Sequence, residues 1–328
     1  MIYDCFTFNN ELDLLDLRLH ELSSVVDKHV LVESTNTFTG TPKPLHYKIN
    51  QKRFHPFLGK IIHVVVDDME NAIPATSLPY FTPKPFQVNH IPVWSREIHQ
   101  RNAIKRGLTK CHANDIILIS DSDEIPRAKA IKDHRWSDRT AAFKQHAYNY
   151  FINCRCSQDW IGTKGTTFGV LRDLEPEQIR QTSTFDLVAD GGWHFSFLGG
   201  SGAVKAKVRA FSHQEHNQPD YLDNHQLSLN IQNGLDIFKR PFEYTFTKID
   251  KTYPKYLRTH VSQYAKYLKH DLVNQNTLDL RKALFVARSS LYWKELELQR
   301  VIETMTYYRR YSFPYIFARI REQLSKIV

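Results

Sequence analysis

Asp121, Asp123 and Glu124 stand together where an apolar run ends, in ILISDSDEIP at residues 117–126. Carboxylates spaced i, i+2 can reach one hard divalent cation that already carries phosphate oxygens. The chemistry this implies is metal-assisted transfer from a nucleotide diphosphate, in which Mn²⁺ or Mg²⁺ bridges the diphosphate and neutralises it as it leaves. Asp121 and Asp123 are the candidate ligands, and an added imidazole would favour Mn²⁺. His213, in AFSHQEH, is the candidate to supply that nitrogen. Asp-x-Asp is also common in solvated turns, so the residues before it matter. Ile116 to Ile119 show no alternation of polar and apolar side chains, which reads as a central parallel strand buried on both faces. Open α/β sheets bind ligands in the crevice just past the carboxyl ends of such strands.

If an acceptor hydroxyl attacks in line, opposite the leaving diphosphate, a carboxylate must take its proton. Asp190 precedes Gly191 and Gly192, where backbone can approach a sugar closely, and Glu215 is its competitor. A turn-capping aspartate is the other reading of Asp190, of equal weight. In GGWHFSFLGG, residues 191–200, Trp193 and Phe195 alternate with His194 and Ser196. A tryptophan beside glycines suits stacking on a pyranose ring, and it also suits a buried core position. Arg101 lies three residues from Ile98 and Ile104 and seven from Leu108, on the helical stripe that packs on the sheet. A charge there needs a partner, which is either Asp121 or Glu124, or a diphosphate or ribose.

These groups need a scaffold that brings strand ends together. Residues 2–8 read as a first strand, followed by a helix with Leu12, Leu15, Leu19 and Leu22 on one stripe. Runs at 29–34 and 61–68 are further buried strands ending on carboxylates, and the alternation with helix predicts a doubly wound α/β domain. Prolines at 74, 79, 83, 85 and 92 predict a long loop, after which Ser95 is expected to cap a helix leading into the central strand. Long β-type runs follow at 141–156 and 166–174, then a helix over 203–212 and another capped by Asp220. From Tyr253 the periodicity is helical, broken near Asn274 and at Pro314.

At 328 residues the chain can bury a full core, and 41% hydrophobic with 24% charged residues is an ordinary globular composition. There is no run of 18 apolar residues, and the N-terminus enters a strand pattern at once, so a cytoplasmic protein is expected. Four scattered cysteines make neither a disulfide framework nor a zinc site the expectation. Residues 251–328 hold 15 Lys and Arg against 6 Asp and Glu, so the whole net charge of +9 belongs to an aromatic-rich tail. Its last stretch, PYIFARIREQLSKIV, puts Ile316, Phe317, Ile320, Leu324 and Ile327 on one helical stripe, able either to dock on the main domain or to lie at the inner face of an anionic membrane. No nucleic-acid partner is expected.

The stretches IYDCFTFNNELDLLDLRL, VESTNTFTGTPKPL, WSREIHQRNAI, DIILISDSDEIP and DGGWHFSFLGG together resemble glycosyltransferase family 17, over roughly residues 1–235. The resemblance implies a GT-A fold, with a mostly parallel sheet flanked by helices. It also implies UDP-N-acetylglucosamine as donor, inversion at the anomeric carbon, Asp121 and Asp123 as the metal motif, and Arg101 and Asn102 lining the donor site. The residues expected to touch the donor are Thr7, Phe8, Glu33, Lys43, Arg101, Asn102, Asp121, Ser122, Trp193 and His194. The expected organisation is a catalytic domain over 1–250 and a basic helical region over 251–328. The expected function is metal-dependent transfer of a sugar to a glycan or lipid-linked saccharide. A sugar-phosphate nucleotidyltransferase, which would want a glycine-rich phosphate loop, and a catalytically silent glycan-binding protein are the alternatives.

Overall fold

A computed structural model describes residues 1–270 and 275–307. Its strands are β1 (Ile2–Phe8), β2 (Lys28–Ser34), β3 (Ile61–Val66), β4 (Ile116–Asp121), β5 (Glu124–Pro126), β6 (Ala141–Asn149), β7 (Cys154–Cys156), β8 (Trp160–Thr167), β9 (Asp186–Ser196) and β10 (Tyr244–Phe246). They form one sheet in the order β10-β7-β6-β8-β4-β1-β2-β3, with β9 joined to β6 and β5. The four strands β3-β2-β1-β4 run parallel, whereas β8, on the other side of β4, is antiparallel to it. The fold is therefore mixed α/β rather than mostly parallel. The parallel half is closed by helical crossovers; in the second half β7 and β8 return antiparallel to β6, while β9 comes back parallel to it.

β4 is central because both of its faces are covered. Ile117 and Ile119 join Tyr3, Val30 and Val32 against Ile104 and Leu108, while Ile116 and Leu118 face Leu22, Val26 and Phe143. Burying each such side chain stabilises by about 1.5–3 kcal/mol, which fixes where the strand ends. Burial fails only at Asp121, so the first carboxylate emerges at the strand's last residue.

Several local expectations are corrected. The helix before β4 spans Ile91–Asn102, with Pro92 in its first turn; Ser95 is inside it, donating to the Ile91 carbonyl at 2.8 Å and accepting from the Ala75 amide at 2.8 Å. That second bond pins the proline-rich segment, which is built of short 3-10 turns, to the helix. The run 141–156 is broken because Tyr150 takes a left-handed conformation, φ 70°, that turns the chain between β6 and β7. The run 166–174 leaves the sheet at Thr167 and turns into the helix Phe168–Leu171. The helical cap near 220 is Asp223, whose Oδ1 accepts from the Gln226 amide at 2.8 Å.

The basic region starts inside the same packed body. Tyr253, Leu257 and Tyr264 are buried with Leu14, Leu17 and Trp193, and Tyr267 donates to Asp13 at 2.6 Å. The helix Gln275–Tyr307 follows, with Val286, Trp293 and Leu298 exposed. The stripe from Ile316 to Ile327 lies outside the described residues. No helix among the described residues is long and apolar enough to cross a membrane.

Candidate active site

The carboxyl ends of β1 and β4, the start of β8 and the segment after β9 enclose a cavity of about 510 Å³. Thr7, Phe8, Lys43, Asp121, Ser122, Asp123, His194 and His213 all line it. Thr7 Oγ1 donates to Asp121 Oδ1 at 3.1 Å, which ties the ends of the two central strands together.

The two aspartates are ionised for different reasons. Burial alone would raise Asp121, but Arg101 and Arg180 outweigh it and bring its pKa down to about 2. Arg101 Nη2 donates to Asp121 Oδ1 at 3.1 Å, and Arg180 reaches Oδ2 only at 3.5 Å. Burial acts on Asp123 in the same sense, and Lys207 and His194 outweigh it, holding the group far below the usual carboxylate range. Lys207 donates to Asp123 Oδ2 at 2.7 Å and to Ser196 Oγ at 3.2 Å, and His194 Nε2 lies 3.6 Å from the same Oδ2. Among the described residues the ion pairs of Asp123 thus all fall on Oδ2.

Glu124 behaves differently. Arg180 donates to both of its oxygens, at 2.9 and 3.0 Å, Trp160 Nε1 donates to Oε1 at 2.7 Å, and the Asp121 amide reaches Oε2 at 3.2 Å. Fully buried and saturated with donors, Glu124 clamps the acidic loop rather than offering a free group.

Not all the expected residues come to this cavity. Arg101 is buried behind it, bonded to Glu97, Glu177 and Asp121, so it positions Asp121 from below. Asn102 accepts from the Glu177 amide at 3.0 Å and donates to Tyr80 Oη at 3.2 Å, a structural role. Glu33 is fully buried, its carboxylate turned back to the Tyr47 amide at 2.9 Å and to His63 at 3.0 Å. Trp193 is a core residue, 1% exposed, with Arg127 over its ring and its N–H donated to the Thr252 carbonyl; it has no face left for a sugar.

Neither base candidate faces the cavity. Asp190 sits outside it at φ 48°, bonded to Arg127 at 2.7 Å and to His146 at 3.2 Å. Glu215 accepts from His213 Nδ1 at 2.7 Å through Oε1, while its Oε2 is buried without a partner, which suits orienting His213 rather than reaching a substrate. Among the described residues, one set of three metal-capable side chains comes within 4.8 Å: His213, Glu215 and His216. Burial drives the pKa of His216 down to about 4, so that imidazole stays neutral.

Sequence reasoning missed Arg18, Trp160, Arg180 and Lys207. The chain has the profile of glycosyltransferase family 17 over residues 1–275. Among curated proteins it is similar to the beta-1,4-mannosyl-glycoprotein 4-beta-N-acetylglucosaminyltransferases of Rattus norvegicus and Homo sapiens. Each is 30% identical over 128 residues, which is 38% of this chain and 21% and 22% of the respective relatives. The matched region thus spans about a fifth of the length of those relatives.

Proposed function

The chain belongs to glycosyltransferase family 17, and from that premise we propose that it transfers N-acetylglucosamine from UDP-N-acetylglucosamine to a glycan, with inversion to a β-linkage, on a GT-A type scaffold. The observation that carries this reading is the meeting of Asp121 and Asp123, both ionised, with Thr7, Phe8 and Lys43 around one cavity at the carboxyl end of β4. That is where an open α/β sheet receives a nucleotide. Thr7, Phe8 and Lys43 lie on the parallel side and are proposed to hold the uridine. The acceptor is proposed to be an oligosaccharide, free, protein-bound or lipid-linked.

The donor set fits a hard divalent cation. Among the described residues Asp123 Oδ1 has no hydrogen bond and Asp121 Oδ2 only its long contact with Arg180, which leaves two carboxylate oxygens for an ion. Mn²⁺ or Mg²⁺ would be held by Asp121 and Asp123, whereas His213, expected from the sequence as a third ligand, groups with Glu215 and His216 and not with the two aspartates. When bound, such an ion neutralises the diphosphate as UDP departs. Arg101 and Arg180 keep Asp121 charged, and Lys207 adds a cation beside Asp123. Glu124 holds the loop rigid, so little reorganisation is needed during transfer. A place at the inner face of a membrane is proposed on the tail's charge alone.

The test is UDP release from UDP-N-acetylglucosamine with Mn²⁺ and with EDTA, alongside UDP affinity. Release that depends on the metal supports the reading. A chain that binds neither UDP nor the nucleotide sugar is not this enzyme.

A further inference from the structure

Trp160 is the first residue of β8, and β8 runs antiparallel to β4 with Lys164 paired to Ile119, so Trp160 stands level with the acidic loop on the side away from β1. It is 43% exposed and lines the cavity, unusual for so large an apolar ring in the body of the protein. Yet it is held firmly. Its N–H goes to the buried, doubly clamped Glu124, and His194 stacks on it with ring centroids 5.0 Å apart and planes 27° from parallel. The backbone beside it is also fitted to it: a Cβ at Gly162 would come 2.8 Å from the indole Cδ1 and 1.9 Å from Gln145 Oε1. A rigid, half-open aromatic plate costs little entropy to use, and it sits among Gln158, Asp159 and the acidic loop, which can accept or donate hydrogen bonds to hydroxyls.

We infer that Trp160, backed by His194, is the plate on which the acceptor saccharide lays the apolar face of a pyranose ring. The side of β4 decides between acceptor and donor. Thr7, Phe8 and Lys43 crowd the β1 side, where the nucleotide enters, and Asp121 and Asp123 separate them from Trp160. The inference rests on the reading of the cavity as a sugar-transfer site and names the residue that selects its acceptor.

The experiment is saturation-transfer NMR of mannotriose and chitotriose binding to the full chain in Mn²⁺ and UDP, with UDP affinity measured separately by calorimetry. Wild type binds at least one trisaccharide. Trp160→Ala weakens that binding about tenfold and Trp160→Phe keeps it within about threefold, the two variants having lost the same N–H to Glu124 and matching each other in UDP affinity. The inference is overturned if the UDP-loaded wild type binds neither trisaccharide, or if Trp160→Ala binds as tightly as wild type. It is also overturned if Trp160→Ala loses UDP affinity while Trp160→Phe keeps it, since the plate would then serve the donor. Failure of wild type to bind UDP would instead strike the transferase reading, and the trisaccharide titration would still report on the plate.

Discussion

Arg18 Nη1 donates to the backbone carbonyl oxygen of Glu124 at 2.7 Å, from a helix 106 residues earlier in the chain. The same nitrogen reaches the Asp121 carbonyl at 3.2 Å, and the other side of the guanidinium forks onto Asp4, Nη2 to Oδ1 at 2.6 Å and Nε to Oδ2 at 2.8 Å. Both side chains are fully buried, and His29 Nδ1 completes the network 2.9 Å from Asp4 Oδ2. The backbone of the acidic loop therefore hangs on one buried cation beneath the sheet, while its side chains face the cavity above.

Replacing Arg18 by Met should cost about 3–5 kcal/mol, because it strands Asp4 as an uncompensated buried charge and frees the carbonyls of the loop. Urea unfolding reads this directly. A loss under about 1 kcal/mol would mean the network contributes nothing net.

Metal removal tests the carboxylate pair. EDTA should stop turnover and Mn²⁺ restore it, and Asp123→Asn should lower the rate by at least about 10²-fold with an unchanged unfolding midpoint. Full activity in EDTA would refute the proposed metal role.

The depressed pKa of Asp121 has a thermodynamic counterpart. A carboxyl whose folded value is about 2, against about 4 in the unfolded chain, contributes stability that is complete above about pH 4 and is lost as pH falls toward 2. Urea midpoints followed across that window should drop less in Asp121→Asn than in wild type. Equal slopes would show that Arg101 and Arg180 do not stabilise the charged form.

Glu215→Gln removes the carboxylate that holds His213 at the cavity wall and should lower activity by about 10–100-fold, the scale for a residue that orients a functional imidazole, while Asp190→Asn should stay near wild type. Titrating activity with Mn²⁺ in both variants decides it. A large loss in Asp190→Asn with an intact Glu215→Gln would restore the opposite assignment.

The sequence announced the end of β4 clearly, because a strand buried on both faces cannot absorb three acids, and burial stops at Asp121 as expected. Its helpers were harder to see. Arg18 carries the same signal that drew notice to Arg101, a cation on an apolar helical stripe, here among Leu14, Leu15 and Leu22, all buried. Trp160, Arg180 and Lys207 come from three separate segments, and only the antiparallel pairing of β8 with β4 and of β9 with β5 brings them to the site. Glu33 misled for a physical reason: a carboxylate at a strand end can turn back to its own neighbours, here Tyr47 and His63.

The helix Gln275–Tyr307 exposes Val286, Trp293 and Leu298, and Lys294 and Arg300 lie in the same stretch. A surface that mixes apolar side chains with cations can settle at an anionic bilayer, each nearby cation contributing about 1 kcal/mol. The intact protein should therefore co-sediment with phosphatidylserine vesicles at low salt and be released at about 1 M salt, where charges are screened beyond about 3 Å. Truncation after His270 should abolish that binding and leave UDP affinity unchanged, since the cavity is lined by residues 7–242. No sedimentation of the intact chain at low salt, together with a lower melting temperature on truncation, would make the helix a structural element instead.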